Sequence, residues 1–149
     1  IESYISNIYV GLKQPYIYIW ISKKFQIVYV GMTNSRLGVL GRASGHFSDM
    51  GTLREKFNNI TGSSIEEADD LKVLSFPLPQ KRIYYSLERS YREAIEYLVQ
   101  SGLLTNRTNL KPRFQVISWV RTSPRVNHVE VKQLASSIIS KFLTKYPSI

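Results

Sequence analysis

The chain has 149 residues and carries 20 lysines and arginines against 11 aspartates and glutamates, a formal charge of +9. Its 43% apolar content argues for a folded globular chain over a disordered one, and no apolar run approaches the roughly 20 residues of a membrane helix. The absence of cysteine removes disulfides and zinc–thiolate sites and leads us to expect an intracellular protein. The length suits a single domain over residues 1–149. The chain opens at Ile1 with no signal-peptide pattern and no initiating methionine, as expected of a chain cut from a larger protein or trimmed. The basic excess points to a polyanionic partner, most often nucleic acid.

Taken in order, Ile5, Ile8, Tyr9 and Leu12 share one face of an expected N-terminal helix, and Gly11 and Pro15 punctuate the chain before the first strand. Tyr16 to Ile21 is β-branched or aromatic throughout and predicts a strand. Ser22, Lys23 and Lys24 suit a turn, Phe25 to Val30 a return strand, and Gly31 its end. Such a ribbon is marginal alone and needs a third strand or a helix over it. Met32 to Gly41 reads as a loop entering a helix over Val39 to His46, which puts Arg42 and His46 on one face because i and i+4 are neighbours. Asp49, Gly51 and Thr52 make a break. Leu53, Phe57 and Ile60 are then spaced for a second short helix.

Ser63 or Ser64 can cap a further turn, and Glu66, Glu67, Asp69 and Asp70 read as capping and dipole residues rather than a metal site. Leu71 to Leu78 predicts the third strand, with Pro77 and Pro79 ending it early or placing it at an edge. Ile83 to Gln100 predicts the longest helix, with Gly102 at its end. On that helix Glu88 falls on the apolar face, Glu96 at its edge and Glu93 opposite. A carboxylate on a core-facing stripe is costly unless it pairs, here with Lys81, Arg89 or Arg92, or binds a metal. Phe114 to Val120 is expected as a further strand and Val129 to Tyr146 as a final amphipathic helix, with Val131, Leu134, Ile138 and Phe142 inward. Residues 102–128 hold Arg107, Lys111, Arg113, Arg121 and Arg125 and no acid. Arg107, Lys111 and Arg113 are therefore candidates for nucleic-acid binding. The expected fold is α+β: a small mixed or antiparallel sheet of about three strands, flanked by helices, with a C-terminal strand and helix extension.

Tyr16-Ile17-Tyr18 and Tyr29-Val30-Gly31, followed by Arg42 and one helical turn later by His46, resemble the GIY-YIG nuclease family. The resemblance spans about residues 15–112 and leaves a basic extension over about 113–149. Tyr16 stands where the family usually has glycine, and the segment between Tyr29 and Arg42 is longer than usual, which Gly38 and Gly41 can accommodate. The resemblance implies a metal-dependent endonuclease that hydrolyses DNA, RNA being open, with one divalent ion, Mg²⁺ or Mn²⁺. Restriction, phage-defence, repair and mobile-element roles all fit it. It implies that Tyr29 is the general base, that Tyr18 positions water or phosphate and that Arg42 stabilises the transition state. His46 then assists by hydrogen bonding or relays a proton. Glu88 is the expected metal ligand and Glu96 the runner-up, and either Asn106 or Asn109 matches an asparagine that many members carry after the glutamate helix. A homodimer would bring the second site that cutting both strands needs. The same composition also suits a non-catalytic nucleic-acid-binding module, in which basic residues hold phosphates and aromatic rings stack on bases, or a basic face that meets an acidic protein.

Overall fold

Three long strands carry the sheet, and two strands of two residues flank them. The structure, a computed structural model, describes residues 3–4, 14–34, 38–118 and 122–149. The strands are β1 (Ser3–Tyr4), β2 (Tyr16–Ser22), β3 (Ile27–Thr33), β4 (Lys72–Pro77) and β5 (Gln115–Val116), in the spatial order β1-β4-β2-β3-β5. The outer pairs β1–β4 and β3–β5 are parallel, and the inner pairs are antiparallel, so the sheet is mixed. Where an N-terminal helix is expected, Ser3 and Tyr4 instead pair with Val73 and Leu74. The helix-face residues Ile5, Ile8, Tyr9 and Leu12 lie outside the described residues.

Alternation along β2 decides what each face is made of. Successive side chains of a strand point to opposite faces. Ile17, Ile19 and Ile21 therefore join Val28 and Val30 in one cluster, while Tyr16, Tyr18 and Trp20 join Ile27 and Tyr29 in the other. The register sets Tyr18 against Gly31 and Trp20 against Tyr29. Phe25 and Gln26 belong to the turn and not to the return strand, since Gln26 takes φ 54° and closes the reversal. Ser22 Oγ accepts the Phe25 amide at 3.1 Å and donates to Asp70 at 2.6 Å, which ties the turn to the loop before β4. Gly31 does not end β3, which runs on to Thr33.

Helices α1 (Gly38–Phe47) and α2 (Thr52–Thr61) cover the aromatic face, with Phe47, Leu53 and Phe57 packed into it. Ile60, the third residue of that helical spacing, is 41% exposed. Ile83 to Gln100 is not one helix. It divides into α3 (Arg82–Tyr85) and α4 (Ser90–Asn106), with Ser86 extended between them. The cause is Arg92, which folds back to donate to the carbonyls of Tyr84 and Ser86 and so satisfies the end of α3. Gly102 does not end α4; it is the point where α5 (Val129–Lys145) packs closely through Ile139. α4 and α5 together cover the isoleucine face with Ala94, Ile95, Val99, Leu103, Val131 and Phe142.

The expected strand Phe114 to Val120 shrinks to β5, and Val120 lies outside the described residues. β5 pairs only with Ile27 and Val28. Beyond Val30, whose amide donates to Ser118 Oγ, no described strand covers the outer edge of β3. Among the described residues no helix is long and apolar enough to cross a membrane.

Candidate active site

The uncovered end of β3 is where polar side chains gather. Tyr18 lies across the strand pair because its opposite number is glycine: a Cβ on Gly31 would sit 2.4 Å from the Tyr18 ring. The i, i+4 spacing on α1 brings Arg42 and His46 to the same phenol, as expected. Arg42 Nε donates to Tyr18 Oη at 3.4 Å, and Tyr18 Oη is 2.6 Å from His46 Nε2. The chain then doubles back through Gly51, where a Cβ would lie 2.1 Å from the His46 carbonyl oxygen. This return delivers Thr52, whose hydroxyl is 3.3 Å from His46 Nδ1 and 3.3 Å from Tyr29 Oη. Both tyrosine rings meet the imidazole edge-on, at 5.4 and 5.2 Å between centroids.

The result is a continuous polar run: Arg42, Tyr18, His46, Thr52, Tyr29. Its protons can be arranged in two ways. With the imidazole proton on Nδ1, Tyr18 donates to Nε2, Nδ1–H donates to Thr52, and Thr52 donates to Tyr29, leaving the Tyr29 proton free. With the proton on Nε2, each of these bonds reverses and Tyr18 holds the free proton. Burial, and then the charge of Arg42, push His46 down to about 4, so it is neutral at pH 7 and one ring nitrogen always accepts. Burial pushes both phenols above their ordinary value, and Arg42 offsets part of that. Neither phenol therefore ionises freely at neutral pH.

The two phenols open into a cavity of ≈ 360 Å³ that is also lined by Arg42, Arg89, Arg92 and Glu96. Three guanidiniums and one carboxylate give it a cationic wall. Glu96, at the edge of the apolar stripe of α4, reaches this cavity although α4 packs on the other face of the sheet. Burial, and then the charge of Glu93, raise its carboxyl to about 8, against the pull of Arg42. Among the described residues none donates a hydrogen bond to it, and no cluster of three or more histidines or acids surrounds it.

Glu88 does not join the site. It lies in the α3–α4 break, exposed, bonded to Ser90 and paired with Arg125 at 3.5 Å. The helix-face argument for it fails because the helix is interrupted there. Asn106 donates to the Gly102 carbonyl at 2.8 Å and lines a groove between α4 and α5, and Asn109 sits in an exposed turn; neither lines the cavity. Arg107 and Arg113 flank a separate groove with Lys24 and Gln26, at the turn end of the ribbon, and Lys111 is exposed nearby in the chain. Glu67 caps its turn by accepting the Ser64 amide at 2.9 Å, as expected, whereas Glu66, Asp69 and Asp70 make tertiary bonds to Arg54, Lys24 and Ser22. Sequence reasoning misses Thr52, Arg89 and Arg92 as site residues. The pattern Ser90-Tyr91-Arg92-Glu93 is nevertheless a helix-start signal, and it would have placed Arg92 and Glu96 on a fresh helix. No family model, curated protein or solved structure matches this chain.

Proposed function

We propose that this chain is a metal-dependent endonuclease of the GIY-YIG type that hydrolyses phosphodiester bonds in DNA. The observation that carries the proposal is the unbroken run from Arg42 through Tyr18, His46 and Thr52 to Tyr29, opening on a cavity that also holds Glu96. The arginine fork matches phosphate oxygens and stays charged. Tyr29 takes the proton of the attacking water as it hands its own to Thr52, Thr52 passes one to His46 Nδ1, His46 Nε2–H gives one to Tyr18, and Tyr18 releases its own to a phosphate oxygen in the cavity, so His46 stays neutral throughout. No free phenolate then has to form, which answers the raised phenol value. Tyr18, held by Arg42 and His46, orients the phosphate or the water.

Glu96 is the residue that would hold a divalent ion, in place of Glu88. The cavity wall is cationic, so Glu96 would hold Mg²⁺ or Mn²⁺ only as its carboxylate and together with substrate phosphates and waters, whose negative charge would offset the three guanidiniums. When bound, such an ion neutralises phosphate charge and favours ionisation of water. The groove with Arg107 and Arg113 would hold backbone phosphates further along the nucleic acid, and exposed Lys111, two residues before Arg113, would add to its charge.

The test is plasmid cleavage with and without Mg²⁺ or Mn²⁺, comparing wild type with Arg42→Ala. Nicking or linearisation that needs the metal and is lost in the variant is the expected result. DNA binding with no cleavage under either metal would replace the nuclease by a binding module, and no binding at all would remove both.

A further inference from the structure

We propose that Arg89 and Arg92 form a second phosphate subsite in this cavity, which holds a backbone phosphate next to the one that Arg42 engages. The inference rests on the nucleic-acid reading above and specifies it: the substrate must supply a flanking phosphate, so cutting occurs inside a strand and not at a terminal nucleotide.

Arg92 is 2% exposed, and its Nη1 is fixed by the carbonyls of Tyr84, at 2.5 Å, and Ser86, at 3.0 Å. Its Nε is buried and has no hydrogen-bond partner among the described residues. Among those residues neither Arg92 nor Arg89 pairs with a carboxylate. A buried guanidinium left without a counter-ion is costly, because a charge in low dielectric needs pairing. Arg89 lies one turn earlier, and both line the same cavity. Like charges at that spacing repel, and burial, then the charge of Arg89, disfavour the protonated form of Arg92, against the pull of Glu93. Two unpaired cations held together at a cavity wall, one of them braced by two carbonyls, form a preorganised seat for an anion.

Arg42 gives its Nε to Tyr18 and, in this reading, the rest of its fork to the phosphate at the reacting end. The charge that meets Arg89 and Arg92 is therefore a different one. In a nucleic acid the neighbouring phosphate supplies it, one phosphate per nucleotide along each strand.

The experiment measures binding of the full chain to a mixed-sequence oligonucleotide duplex in EDTA, across a series of salt concentrations. Each phosphate contact contributes about 0.9 to the slope of log K against log salt. Arg89→Ala is expected to weaken binding and lower that slope by about one. Arg89→Lys keeps the charge but not the planar fork, and at this exposed residue it is expected to weaken binding less than Arg89→Ala, at an unchanged fold. Lys132→Ala, on the exposed side of α5, is the control and is expected to match wild type. An unchanged slope in Arg89→Ala, with Arg42→Ala still weakened, would overturn the subsite and leave the nuclease reading standing. An equal loss in Lys132→Ala would overturn it too, since the effect would then be general charge. If wild type binds no oligonucleotide, the nucleic-acid reading itself falls and the subsite falls with it.

Discussion

Alternate residues of β2 serve two faces of the sheet that have different chemistry. Under α4 and α5 lie Ile17, Ile19 and Ile21, hydrocarbon packed on hydrocarbon. Under α1 and α2 lie Tyr16, Tyr18 and Trp20, each with a polar atom that burial makes costly. Tyr18 meets that cost with His46 and Arg42, and Tyr29 on the neighbouring strand meets it with Thr52. The Trp20 indole nitrogen has no partner among the described residues. One strand thus puts plain hydrocarbon packing on one side and a polar run on the other, and mutation is expected to separate the two.

Changing one residue on each face puts this difference to the severest test. Tyr29→Phe removes a hydroxyl at the site, and we expect cleavage to fall by about 10²–10⁴-fold, the usual worth of a positioned acid or base, with the melting temperature nearly unchanged. Ile19→Ala is expected to do the reverse. It deletes a side chain that is 0% exposed and should cost about 2–5 kcal/mol of stability, while the folded fraction keeps its activity per molecule. Denaturant unfolding and cleavage kinetics on both variants decide this. Equal loss of activity and stability in each would mean that the faces are not separable.

Thr52 probes the polar face more finely. Thr52→Val keeps the shape and removes the link between His46 Nδ1 and Tyr29. We expect a loss of roughly tenfold in kcat, near the worth of one hydrogen bond of about 1.4 kcal/mol, with recovery in Thr52→Ser. Equal rates in all three proteins would remove Thr52 from the relay.

A further effect is expected on stability, at Glu96. Its folded value of about 8 lies above the ordinary carboxyl value, so the folded chain keeps a proton that the unfolded chain releases. Stability in the absence of metal must then fall as pH rises from about 4.5 to about 8. Glu96→Gln should melt higher than wild type at pH 9 and level with it at pH 4. Parallel melting curves across that range would show that the carboxyl is not held in this way.

Much of the aromatic face was legible in the chain. Tyr16 to Ile21, Arg42 and His46 follow from local rules: strand propensity, and i, i+4 neighbours on a helix. The α4 side was not, for a physical reason. Tyr84, Leu87 and Tyr91 have helical spacing, but Arg92 reaches back to the Tyr84 and Ser86 carbonyls, and no period in the sequence encodes that bond. The break turns Leu87 out to 96% exposure and removes Glu88 from any helix face. Thr52 was hidden likewise. It reads as a break residue, and only the tight return at Gly51 brings it to His46.

Metal-dependent plasmid cleavage by Glu96→Gln and Glu88→Gln, measured side by side, decides whether the site is assembled as described. The geometry predicts that Glu88→Gln cuts like wild type, since Glu88 only pairs with Arg125 and Ser90 at the surface. Glu96→Gln should bind DNA and fail to cut at any concentration of Mg²⁺ or Mn²⁺. Full cleavage by Glu96→Gln, or loss in Glu88→Gln alone, would contradict the assembly of the site around the Arg42–Tyr29 run and Glu96.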